Sequence, residues 1–170
     1  ADMTRHLLGL GHRRIGFIGG RPKFGSAELR FQAFRDVMTT AGAFDPDLVR
    51  AGDYTRESGQ AAGLELLGLA QRPTAIFAAN DSMAIGVIAL AQQRGLRIPT
   101  DLSVAGIDDI TLAASIWPAL TTVRQPIIAM GVAAANYIVA ASTASCQPPS
   151  LPFFAHELVI RDSTAPPALP

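Results

Sequence analysis

Apolar positions along this chain recur on two patterns. Short continuous apolar runs are each followed by a polar turn and then by a longer stretch in which apolar residues fall three or four apart. Ile15-Gly16-Phe17-Ile18 is apolar without alternation, as expected of a strand covered on both faces. The next stretch predicts a helix over 26–41, with Ser26 as N-cap, Glu28 in the first turn and Gly42 as the stop. A second strand over Leu48–Ala51 leads to a helix capped by Thr55 and running to about Gln71. The third unit pairs strand 75–79 with helix 81–94, ended by Gly95, and Leu102–Ile107 is the fourth strand. Strands alternating with helices of this length predict βαβ units on a parallel sheet, an α/β three-layer sandwich.

Both ends depart from the rhythm. Leu120–Val123 reads as a strand, and Pro126 suits the first turn of a helix over 127–141. That helix is apolar nearly all round, with Ile127, Ile128, Met130, Val132 and Ile138, a pattern that asks for burial. A linker over 142–150, a strand over 153–160 and a disordered Pro-rich tail complete the prediction. At the start, Met3, Leu7 and Leu8 keep helical spacing up to Gly11. A domain opening inside a helix reads as a piece of something longer.

Composition narrows the function classes. With 170 residues, 49% hydrophobic and 16% charged, the chain can bury a full core as one domain or one large lobe. Its 14 basic and 14 acidic residues cancel. A self-sufficient nucleic-acid binder normally carries a basic excess or stripe, so this segment is not expected to grip DNA by itself. The single cysteine, Cys146, excludes an internal disulfide and suits a reducing compartment. Ala1–Leu10 does not read as a signal peptide, and no apolar run reaches the length of a membrane span. A cytoplasmic location follows as the expectation.

Ligands of parallel sheets bind beyond the carboxyl ends of the strands. The turns there carry Gly19–Ser26 after the first strand, Gly52-Asp53-Tyr54 after the second, Asn80-Asp81-Ser82 after the third and Asp108-Asp109 after the fourth. Gly20 and Gly25 are spaced as in a phosphate loop, but Ser26 stands where such a loop needs lysine. Arg30 falls on the apolar stripe of its helix (Ala27, Phe34, Val37, Met38, Ala41) and so needs an anionic or polar partner. A salt bridge to Asp81 or Asp108 and a fork donating to ligand oxygens satisfy that need equally. Asn80 and Asp81 suit a helix N-cap, as do Asp108 and Asp109. Taken with Tyr54 and Arg30 on one rim, they form a set suited to a hydroxyl-rich ligand. Asp81, Asp108 and Asp109 offer a magnesium-like carboxylate cluster, but no nucleophile or base accompanies them; His6, His12 and His156 fall away from the rim turns. No cofactor, metal or catalytic role is expected, and an enzyme reading would need a nucleophile–base pair in hydrogen-bonding reach. Ile85, Ile116 and Trp117 suit either core packing or a dimer contact.

Five segments in order resemble one family, the LacI/GalR bacterial transcriptional regulators. They are Leu10–Ile15, Arg72–Asp81, Asp101–Asp109, Leu120–Pro126 and Leu158–Thr164, and the likeness runs from about Arg5 to Pro167. The resemblance implies the effector-binding core of a repressor, built like a type I lobe of periplasmic sugar-binding proteins. It further implies a homodimer, and operator DNA held by a headpiece that this sequence does not contain. Residues 1–123 correspond to most of the C-terminal lobe, and 124–142 to the crossover and a helix of the N-terminal lobe. Residues 150–162 correspond to the return strand, and 163–170 to the tail. Arg30 matches the family's effector clamp, Asn80 the strand-end amide, Asp108 the carboxylate that takes sugar hydroxyls, Tyr54 an often aromatic position and Gln125 the lobe crossover. With Phe24 from the first rim turn, these form the expected ligand set, and Ile85, Ile116 and Trp117 the expected dimer contact. Ile107 and Ile127 depart from positions where the family often has aromatics. A solute-binding protein of a transporter shares the fold and is the alternative.

Overall fold

The computed structural model describes residues 1–21, 25–143 and 152–168. It opens with helix α1 (Asp2–Gly9), strand β1 (Ile15–Gly19), helix α2 (Gly25–Thr40) and strand β2 (Val49–Ala51). Helix α3 (Arg56–Leu67), strand β3 (Ala75–Ala78), helix α4 (Asp81–Gln93) and strand β4 (Ser103–Ala105) follow. A short helix α5 (Thr111–Ser115), strand β5 (Thr122–Arg124), helix α6 (Ile127–Thr143) and strand β6 (Glu157–Val159) close the order.

The four-stranded sheet runs β2-β1-β3-β4 and is parallel throughout, with Phe17 opposite both Val49 and Phe77. Successive residues of β1 point to opposite faces, which places a helical layer on each. Phe17 stacks on Phe34 of α2 at 4.7 Å and meets Phe77 edge-on at 5.5 Å. Its neighbour Gly16 lies under Leu66 of α3. This is the predicted three-layer sandwich. β5 and β6 form an antiparallel pair, joined to the main sheet by parallel bridges Ala105–Thr121 and Asp108–Arg124.

α3 and α4 come together through two glycines. A Cβ at Gly59 would overlap the Met83 backbone, and one at Gly86 would overlap the Arg56 carbonyl. Each helix thus presents a bare surface to the main chain of the other.

Several elements differ from their predicted bounds. α3 ends at Leu67 rather than Gln71, because Gly68 closes it by donating to the Leu64 and Glu65 carbonyls. The fourth strand keeps only Ser103–Ala105 of the predicted 102–107, since the chain beyond turns toward β5. The fifth and sixth strands shift to 122–124 and 157–159.

The tail is held against the domain as far as Pro167. Ser163 is buried, its Oγ donating to the Val104 carbonyl and accepting from the Thr121 N–H, and Pro167 lies against Gly11. α6 leaves its apolar side chains open, with Ile128 at 85% exposure. Ile85 is 6% exposed within the core cluster, so it presents no apolar edge for a dimer contact. Trp117 is 81% exposed, with Ile116 partly buried against the core. No helix among the described residues is long and apolar enough to cross a membrane.

Candidate ligand-binding site

The strand ends converge on one rim, and five of the six sequence-predicted ligand residues gather there. Phe24 lies outside the described residues. Asn80 uses both ends of its amide: Oδ1 caps α4 by accepting from the Met83 N–H at 3.0 Å, and Nδ2 donates to the Tyr54 carbonyl at 3.0 Å. The cap expectation for Asn80 holds, and the same side chain ties the third rim turn to the second.

Tyr54 sits at φ 74°, a left-handed conformation set up by its neighbours. Asp53 Oδ1 accepts from both the N–H and the hydroxyl of Thr55, and Thr55 caps α3. These hydrogen bonds, with Ser58 and nearby Arg21, hold the Asp53 carboxyl down at about 2. The Tyr54 ring then lies over the end of β1, where a Cβ at Gly20 would overlap it. Gly20 is therefore a seat for an aromatic ring rather than part of a phosphate loop.

Arg30 reaches the rim from α2. Its Nη1 donates to the Ala79 carbonyl at 2.7 Å, and its Nη2 stands 3.8 Å from Asp108 Oδ1. Of the two partners open from the sequence, Asp108 is the one it faces, at the outer limit of an ion pair. Gln125, arriving from the end of β5, donates to the same Asp108 oxygen at 2.6 Å. Burial raises the Asp108 pKa, and Arg30 and Gln125 only partly offset that. The group is a partly desolvated carboxylate with an amide and a guanidinium in reach, a combination suited to hydroxyl ligands.

Asp81 and Asp109 depart from their expected roles. Asp81 is the first residue of α4 rather than its cap, and it is fully buried. Thr122 Oγ1 and the Ile110 N–H donate to its two oxygens, yet burial still pushes its carboxyl up to about 6. Asp109 points away from it, to Arg124 Nε and Arg161 Nη2 at 2.6 Å each. Burial would raise Asp109, but the two arginines outweigh it and hold its pKa below the usual carboxylate range. Neither Asp108 nor Asp109 caps α5, whose N-cap is Ile110. No cluster of three metal-ligating side chains occurs among the described residues. Sequence reasoning passed over Arg161 and Thr122, since nothing local marks either as a partner of the rim.

A serine–histidine contact does exist, at the opposite end of the sheet. His12 Nε2 lies 3.1 Å from Ser103 Oγ, but both are buried and both engage the Ala165 carbonyl. The imidazole Nδ1 meets Thr74 Oγ1 at 2.8 Å, so the group pins the tail to the sheet. His156, placed away from the rim by its sequence position, in fact shares a cavity with Gln125, Ile107 and Phe77 while bonding Asp2 at 2.8 Å.

The sequence matches the model of the periplasmic binding protein-like domain over residues 4–164. The chain belongs to the periplasmic binding protein-like domain family. Relatives that match it over most of its length include HTH-type transcriptional regulators such as GalR of Escherichia coli, and solved structures similar to it include LacI family regulators, the group that the five segments resemble. It is 42% identical over 166 residues to the HTH-type transcriptional regulator reg1 of Streptomyces lividans, covering 94% of this chain and 48% of that protein. A LacI-type regulator from Bacillus cereus subsp. cytotoxis superposes with a TM-score of 0.94 at 30% identity, covering 97% of this domain and 59% of that chain. The complex of the regulator CelR with cellobiose superposes with a TM-score of 0.89 at 36% identity, covering 94% and 49%. The domain spans about half the length of the curated relatives it matches. Those relatives are HTH-type transcriptional regulators.

Proposed function

We propose that this domain senses a sugar or similar polar metabolite for a LacI-type DNA-binding regulator, acting as a repressor. The observation that carries the reading is the rim itself: Asp108 is partly buried at the carboxyl ends of a parallel sheet, with Gln125 and Arg30 directed at one of its oxygens. Asn80 and Tyr54 extend the same wall, and the cellobiose complex of the similar regulator supports a saccharide ligand. Residues 124–142 are read as the crossover and a helix of a second lobe, which accounts for the open apolar face of α6. Residues 1–123 and 150–162 are read as the lobe that carries the site. Trp117, with Ile116 beside it, is the contact assigned to a homodimer. Operator DNA would be held by a separate headpiece, and the whole would work in the cytoplasm without catalysis.

Calorimetry with cellobiose and a panel of mono- and disaccharides at millimolar concentration tests this. Binding by at least one sugar, lost in Asp108→Ala with the fold intact, is the expected outcome. Equal binding by the wild type and Asp108→Ala would refute the assignment.

A further inference from the structure

Asp108 and Asp109 are consecutive non-glycine residues at positive φ, 122° and 53°. L-residues disfavour that half of backbone space, so a pair in succession persists only where the surroundings impose it. One residue, Asp81, makes the hydrogen bonds that flank the pair on both sides. On one side of the pair, the Ile107 carbonyl accepts from the Asp81 N–H at 2.8 Å. On the other, the Ile110 N–H donates to Asp81 Oδ2 at 2.9 Å.

The remaining oxygen, Oδ1, takes the Thr122 hydroxyl at 2.5 Å, and the Asp108 N–H donates to the next residue's carbonyl, that of Val123, at 2.9 Å. The sequence makes room for this arrangement at Gly106, where a Cβ would run into Asp81 Oδ1. We infer that Asp81 is the positioning residue of the rim: it brackets the strained Asp108-Asp109 pair from both sides and so aims the Asp108 carboxylate. Asp81 directly follows Asn80, so the start of α4 sets two site residues at once. Asp109, held by Arg124 and Arg161, anchors the same loop outward to the β5–β6 pair, but its carboxylate touches neither flanking amide.

The consequence for binding rests on the ligand-site reading above, whereas the bracket itself does not. Substitution separates a bracket from a generic core contact. In Asp81→Asn the amide oxygen accepts from Ile110 N–H, and the NH2 donates to Thr122 Oγ1, whose hydroxyl turns to accept. Asp81→Ala offers nothing to either. Hydrogen exchange followed by NMR, at the Asp108 and Ile110 amides and at the β3 amides of Ile76 and Phe77 as internal reference, reads the bracket without a ligand.

In Asp81→Ala, exchange at Ile110 rises about tenfold or more relative to β3, an order set by losing its charge-assisted hydrogen bond, and Asp108, bonded to the Val123 carbonyl in the same loop, rises in the same direction. In Asp81→Asn it stays within about threefold of the wild type, the spread left when the bond survives as a neutral one. Thr122→Val keeps the shape, removes the hydroxyl that orients the carboxylate, and moves the same two amides in the same direction. It serves as the decisive variant if Asp81→Ala does not fold. An equal rise across β3 and the rim, or none at the rim, overturns the inference. Cellobiose calorimetry on the same proteins tests the consequence, with affinity falling in Asp81→Ala and retained in Asp81→Asn. If the wild type fails to bind the sugar, the ligand reading fails while the exchange data still decide the bracket.

Discussion

Replacing Asp81 by asparagine probes what it costs to bury a carboxylate behind the rim. The two side chains have nearly the same shape, so packing against Gly106 and Thr122 is preserved. The ability to ionise is removed, and one acceptor oxygen becomes an NH2 to which the Thr122 hydroxyl turns as acceptor, a change that does not vary with pH. Burial raises the Asp81 carboxyl from 3.8 to about 6, against the pull of its bonds to Thr122 and Ile110, and the carboxylates of Asp108 and Asp109 add to the rise.

A folded pKa above the unfolded one means that the folded state holds the proton more tightly. The associated stability is therefore fully present below the unfolded pKa and is lost as pH rises through about 6. A tenfold difference in proton affinity between the folded and unfolded chain corresponds to about 1.4 kcal/mol. Integrated between about pH 4.5 and 7.5, the wild type loses roughly 2 kcal/mol that the asparagine variant does not. Carboxylates remote from Asp81 titrate alike in both proteins and cancel in the difference, and the removal of the Asp81 charge from beside Asp108 and Asp109 acts in the same direction as the loss of its own ionisation.

Urea unfolding of both proteins across that range, followed by far-UV circular dichroism, measures it. The stability of Asp81→Asn relative to wild type should climb with pH and level off above about pH 7, where the folded carboxyl is almost fully ionised. A difference that is flat with pH, or that falls as pH rises, would refute the claim that Asp81 is buried and costly to ionise.

Gly59→Ala should lower stability by about 1–3 kcal/mol, because the added methyl meets the Met83 main chain rather than a movable side chain; an unchanged melting temperature would contradict that packing. Ser163→Ala strips the partner from the buried Thr121 N–H and Val104 carbonyl, so chemical denaturation should show a loss of about 2 kcal/mol. Trp117→Ser should change unfolding by less than about 0.5 kcal/mol, since the side chain is exposed, while shifting sedimentation toward the monomer. A dimer that survives it intact would remove Trp117 from the interface.

The legible parts of this protein are those whose cause is local. The buried strand Ile15–Gly19 announced itself by four consecutive apolar residues, the Thr55 cap by residue type, and the stops at Gly42 and Gly95 by glycines that take positive φ. The rim residues were legible because strand ends in a parallel sheet face one way. Errors arose where a distant segment decided the outcome. The tail looked free until Ser163 proved to fill a gap between β4 and Thr121. Ile85 looked available as an interface residue because an apolar helix position does not say which neighbour covers it.

Hydrophobic periodicity and turn residues by themselves determined the α/β class, the order of its units and the rim where polar groups collect. They do so because strand and helix periods are written in adjacent residues. Only the tertiary structure decided which aspartate does what. Asp81, Asp108 and Asp109 are the same residue type in similar turns, yet one is sealed in the core, one faces the rim and one is held by two arginines. Their chemistry is set by charge, burial and donors that arrive from β5, α2 and the chain after β6. Separations of tens of residues carry no local signal, and the sheet alone brings those groups together.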